Sequence, residues 1–355
     1  MSTAQINYLN IGLMLVALAA AVSLPFEVFL FSYAVLGPLH YLTEISWLHD
    51  RNYFTTRKFD WTVLVILTLL ITAGSATMLG KYAYKPLESV STDLIFIAFG
   101  FALLAVITDS WVKRGWGMLG VLVLTYLFHG ASSQRLIFFV LVPTIIHVFI
   151  FTGAFILFGA MKHKHWSGYL SMAVFIGCAI ACFMVRRNVA SYNVSEYVKD
   201  SYLPFAGINM ALYELFGYES ILSQQAFFKS PINIAITQFI AWAYTYHYLN
   251  WFSKTSIIGW HKVPKVRMAI VAVIWIASLA LYAREYQLGL KWLFLLSFAH
   301  VLLEFPLNHR SFIGIGQEML QWVTPTKPAL AGDGPSPQAA RKKRAKERKQ
   351  RNPSS

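Results

Sequence analysis

Two stretches of this 355-residue sequence place an imidazole and a carboxylate four residues apart: His40-Tyr41-Leu42-Thr43-Glu44 and His300-Val301-Leu302-Leu303-Glu304. On a helix that spacing puts both side chains on one face. Both stretches lie inside apolar runs, where ionisable groups are costly and seldom without a partner. His147 and His247 lie inside two further apolar runs. Imidazole nitrogen and carboxylate oxygen hold iron or zinc, and carboxylates also orient metal-bound histidines through hydrogen bonds. A cation supplies the charge that makes a buried carboxylate tolerable. The predicted metal set is therefore His40, His147, His247, His300, Glu44 and Glu304, with iron as the metal and zinc as the alternative. Glu44, Glu304 and Tyr246 are the catalytic candidates, and Asn250 and Asp109 are further groups that could donate to or orient a ligand. Each histidine taken singly has a plainer reading, a hydrogen bond to a carbonyl or tyrosine of the next helix.

The elements that must carry these residues are membrane helices. The chain is 57% hydrophobic and 13% charged, against about 25% charged in an ordinary soluble domain. Apolar segments of roughly the 20 residues needed to cross a bilayer recur along it. Ten are predicted, near 6–24, 27–48, 60–80, 93–112, 115–129, 135–160, 167–186, 231–253, 266–283 and 289–308. The expected fold is all-α, a polytopic transmembrane bundle over 1–324, since the short period-2 segments of a β-barrel are not seen.

Lys and Arg cluster after every even segment, with Arg186 and Arg187 the main exceptions. This predicts both termini in the cytoplasm. In that orientation the four histidines all lie on segments that run inward, about 11 to 16 residues from their outer ends, so their depths agree within roughly one to two turns. His163, His165, His261 and His309 fall in or beside cytoplasmic loops. Pro38 and Pro143 each precede a candidate ligand by about a turn and can bend their helices.

The formal charge of +14 is largely local: Arg341 to Arg351 holds eight basic residues and one Glu. It reports a basic tail, residues 325–355, expected to be disordered and able to touch anionic lipid, rather than a nucleic-acid surface. Cys178 and Cys182, four apart in one segment, read as small apolar residues. Residues 187–230 form the longest connection, read as an interfacial cover over a cavity mouth or as a plain surface loop. No Gly-rich phosphate loop, serine nucleophile motif or HExxH is present.

Gly37-Pro38-Leu39-His40-Tyr41-Leu42-Thr43-Glu44 resembles the Gly-x-x-His-x-x-x-Asp motif of the bacterial Brp/Blh membrane carotene dioxygenases. The resemblance implies an all-helical membrane protein with iron at His40, Glu44 in the place of the acidic partner, and a carotenoid-like substrate. Tyr41 stands where that family has Gly, Glu44 replaces Asp, and the family's later paired histidines are missing. The expected function is a metal-dependent membrane oxidoreductase or oxygenase acting on a lipophilic molecule. The rivals are a zinc-dependent lipid hydrolase, a proton- or ion-coupled transporter, and a scaffold.

Overall fold

The computed structural model describes residues 2–75, 80–185, 192–218, 223–254, 259 and 262–323. The predicted basic tail, His261, and Arg186 and Arg187 lie outside them. Among the described residues the structure is helical, with no strand. Ten longer helices occupy the ten apolar segments: α1 (Thr3–Ser23), α2 (Pro25–His49), α3 (Trp61–Gly74), α4 (Ser91–Ile107), α5 (Trp111–Phe128), α6 (Ser132–His163), α7 (Trp166–Met184), α8 (Pro231–Ser253), α9 (Lys265–Arg284) and α10 (Tyr286–Val323). Six of them, α1, α2, α6, α7, α9 and α10, are long and apolar enough to cross a membrane, and α3 and α4 are shorter apolar helices. The chain divides at Ile315; of the unit beyond it, residues 316–323 are described, as helix.

Two helices, α5 and α8, fall short by composition, and the second explains the arrangement. α8 carries Asn233, Thr237, Gln238, Thr245, His247 and Asn250, yet every residue from Ile236 to Tyr248 is buried. A helix enclosed on all sides by protein has no apolar solvent to match, so it can be polar where its neighbours offer partners. Those partners exist: Asn209 joins Asn233 and Thr237 at 3.0 and 2.9 Å, and Thr245 meets Ser32 at 2.7 Å. α1, α2, α6 and α7 pack against α8. One apolar cluster is built around α1, α7 and α8, and a second around α3, α4 and the middle of α10; α2, α6 and α10 contribute to both.

Two of the three helices with an internal proline are not uniform; the third, α10, stays α-helical through Pro306. In α2, π-type turns span Ser32–Leu36, directly before Gly37 and Pro38; in α6 they span Arg135–Phe151, around Pro143. Proline removes one donor and crowds the carbonyl a turn earlier, and wider turns relieve that crowding. Side chains take the backbone carbonyls of α2: Trp275 Nε1 donates to Val35 and the Tyr286 hydroxyl to Leu30, at 2.9 and 3.0 Å.

The connection over 187–230 is a cover where it is described. It folds into short helices at Glu196–Tyr202, Leu203–Phe205, Ala206–Leu215 and Gln224–Lys229. Phe205, Ile208, Leu212, Phe227 and Phe228 are buried against the bundle.

Candidate metal centre

α2, α6, α8 and α10 deliver His40, His147, His247 and His300 to one point. One nitrogen from each of the four rings lies within 4.8 Å of the others. The rings follow one another around that point in the order His40, His247, His147, His300, with successive centroids 4.7, 4.8, 4.9 and 5.3 Å apart. Each meets the next edge to face, at between 63° and 81°. The Nε2 atoms of His40 and His247 are 3.0 Å apart, and those of His147 and His300 are 3.1 Å apart. No histidine of the four is more than 6% exposed.

Both glutamates belong to the cluster, in different ways. Glu44 serves its own helix, as its spacing predicts, with Oε2 3.0 Å from His40 Nε2. Glu304 does not close on His300, four residues before it; its Oε2 lies 3.1 Å from Nδ1 of His147 on α6. Asn308 donates to the same carboxylate at 3.4 Å.

A cation suits this donor set. Glu44 Oε2 and the Nδ1 atoms of His40 and His147 are buried without a partner in hydrogen-bond geometry. Two imidazole nitrogens facing each other at about 3 Å can share at most one hydrogen. Leaving buried acceptors unmatched costs about 1–3 kcal/mol each, and more for a charged group. A metal ion among the nitrogens would turn every lone pair toward a positive charge and compensate the carboxylates. Six nitrogen and oxygen donors without a thiolate match iron or zinc rather than a soft-metal site.

Several supporting groups carry no sequence motif. The Thr152 hydroxyl lies 2.8 Å from His247 Nδ1 and fixes the orientation of that ring. Tyr41 stacks on His300, centroids 4.2 Å apart and planes 23° apart, and its hydroxyl meets that of Tyr248 at 3.0 Å. Gly37 leaves room for this hydroxyl pair, since a Cβ there would stand 2.8 Å from the Tyr41 oxygen and 3.3 Å from that of Tyr248. Trp251 donates to Thr43 at 3.0 Å and packs edge-on to His40.

Other expectations change. Tyr246 is not brought into the cluster: its ring stacks on Trp242 and its hydroxyl points to Asn10 at 3.4 Å. Asp109 is exposed beyond the end of α4, because that helix stops at Ile107. His309 is not a loop residue; it is buried within α10 and bonds the Phe99 carbonyl at 2.9 Å. Arg114, counted with the cytoplasmic cations, is buried in a two-pronged pair with Asp60 at 2.7 and 2.8 Å. Cys178 and Cys182 are buried and unbridged.

Two cavities adjoin the centre. One, of about 440 Å³, reaches His147 and His300 and is walled by Tyr33, Tyr41, Pro143, Tyr244 and Tyr248, with Pro204 to Ile208 of the cover at its edge. The other, of about 550 Å³, reaches His40, His247, Glu44 and Glu304 and extends to Thr3, Lys162 and Lys254. Lys254 sits just past the last turn of α8; burial pulls its ammonium down to about 8, while Glu304 and Glu44 draw it back up.

No family model, curated protein or solved structure matches this chain significantly. The functional reading therefore rests on the geometry.

Proposed function

We propose that this chain is a multi-pass membrane protein with both termini on the cytoplasmic side, and that it is a metal-dependent oxidoreductase acting on a lipophilic molecule. The observation that carries the reading is the closed ring of four buried imidazoles with two carboxylates at its edge. Iron is the proposed metal, because six nitrogen and oxygen donors exceed the four that zinc usually takes and suit an octahedral ion. When bound, iron would supply redox chemistry with oxygen. The likeness of Gly37 to Glu44 to the Brp/Blh motif supports the same metal and an elongated, carotenoid-like substrate.

The chain's own residues supply the rest. The 440 Å³ cavity falls within the roughly 300–1,000 Å³ of ligand sites. Its aromatic wall suits a long apolar molecule, and the Tyr41–Tyr248 hydroxyl pair gives one polar end to bind against. Thr152 holds His247 in place by a hydrogen bond to its Nδ1, and the Glu304 carboxylate lies 3.1 Å from Nδ1 of His147. The aromatic walls of the 440 Å³ cavity keep water from that side of the centre.

The test is elemental analysis of protein purified in detergent. Wild type is expected to hold stoichiometric iron, and His40→Ala and His300→Ala to lose it. Full metal content in both variants overturns the ligand set, and stoichiometric zinc in wild type transfers the site to the hydrolase reading.

Transport is a second reading, favoured by one observation: the ionisable layer separates two cavities, as the midplane site of a transporter does. It requires solute flux in proteoliposomes made from protein without bound metal.

A further inference from the structure

The centre has two faces, and they differ in charge more than in their share of apolar carbon. On the side of the 440 Å³ cavity the groups next to the histidines are the hydroxyls of Tyr41, Tyr248 and Ser297; the carboxylate there, Glu88, is exposed on its rim. On the side of the 550 Å³ cavity the histidines share the wall with Glu44 and Glu304, and Asn10, Asn250 and Lys254 line the same space. Glu44 lines this space, buried, with its Oε2 3.0 Å from His40 Nε2 but in no hydrogen-bond geometry. A hydrated dication gives up water where other polar ligands replace it. A wall with carboxylates and amides offers such replacements step by step. A wall of aromatic rings offers almost none, and a charge there would bear its desolvation uncompensated.

We infer that the cavity between Lys254 and Glu44 is the hydrophilic entrance to the centre, by which the metal ion and water arrive, while the apolar molecule occupies the opposite cavity and shares no path with them. This rests on the four-histidine metal reading. Separate entrances let the centre be loaded and hydrated without displacing an apolar occupant.

Two glycines make the inference testable. Gly159 lines the charged cavity and Gly207 the aromatic one, and a Cβ added at either meets nothing within 4 Å. A large side chain at either position therefore starts from open space beside the cavity lining. The experiment uses the full chain in lipid nanodiscs, stripped of metal by a chelator. Co²⁺ uptake is followed by its visible absorbance, and binding of a long-chain polyene alcohol by its fluorescence. Gly159→Trp is expected to slow Co²⁺ loading by about tenfold, the effect of roughly 1.4 kcal/mol on the barrier, with final stoichiometry and polyene affinity unchanged. Gly207→Trp is expected to load at the wild-type rate and to weaken polyene binding by about tenfold. Should Gly159→Trp fail to fold, Ile6→Trp, on the same cavity, replaces it. Wild-type loading in the Gly159 variant, or slowing confined to the Gly207 variant, overturns the route and leaves the metal site standing. A wild type that takes up no cobalt overturns the metal site itself, and the route with it.

Discussion

The contact between Glu304 and His147 alters how the centre is understood at the level of single residues. Sequence spacing assigns Glu304 to His300, and in the structure His300 is instead flanked by the ring of Tyr41. Two of the four imidazoles thus have another side chain at Nδ1, His247 a hydrogen bond with Thr152 and His147 the Glu304 carboxylate 3.1 Å away, which leaves Nε2 of each turned to the common point. Removing such an orienting partner from a metal site typically costs 10–100-fold in affinity. Thr152→Val keeps the side-chain shape and deletes the hydroxyl. It is expected to weaken metal binding by about 10–100-fold while Thr152→Ser stays close to wild type, as read by competition with a calibrated chelator. Equal binding in Val and Ser variants would leave the hydroxyl a packing role alone. Of the residue-scale chemistry, the ligand types and Glu44 are legible from sequence. Thr152, Tyr41 and the partner of Glu304 are not, because they depend on how neighbouring helices are rotated, and no motif within one helix encodes that.

At the scale of elements, the depth of the four histidines is legible because rise per residue is nearly constant, whereas the faces they present are not. A π-type turn inserts extra residues per turn and rotates everything after it. His40 follows one such stretch and His147 lies within another. Pro143 sits in the second stretch, one turn before His147. Pro143→Ala restores a backbone donor and removes the clash with the preceding carbonyl, so regular α geometry becomes available. Each residue of regained register turns His147 by about 100°. The variant is expected to keep its helix content by circular dichroism and to lose metal. Retention of stoichiometric metal would show that the wide turns are held by packing rather than by the proline. The cover over 187–230 was legible only as one of two alternatives, since its sequence carries the apolar residues of an interfacial helix but nothing that says which surface they meet.

For the whole molecule, six long apolar helices are compatible with a multi-pass membrane protein, and burial explains why α8 can be polar. The basic pattern is less direct evidence than it looks, because Arg114 is committed inside the protein. Its guanidinium grips both oxygens of Asp60, takes the Thr108 carbonyl at 2.8 Å through Nε, and reaches the Thr56 hydroxyl at 2.8 Å. This ties the start of α5 to the segment before α3, while the Thr56 amide bonds the Ala105 carbonyl of α4 at 2.9 Å. Breaking a buried pair by removing one partner strands the other charge and costs about 3–5 kcal/mol, whereas replacing both by apolar groups of similar volume is often neutral or stabilising. Asp60→Leu is therefore expected to lower thermal stability in detergent sharply, and the double variant Asp60→Leu with Arg114→Met to recover most of it. Because the pair is remote from the four histidines in sequence and touches none of them, metal content per folded molecule is expected to be unchanged in both. If the single variant is as stable as wild type, the arginine has found water or lipid headgroups. It then counts again among the charges that set orientation, and the cytoplasmic assignment of the α4–α5 turn gains the support that its burial withdraws.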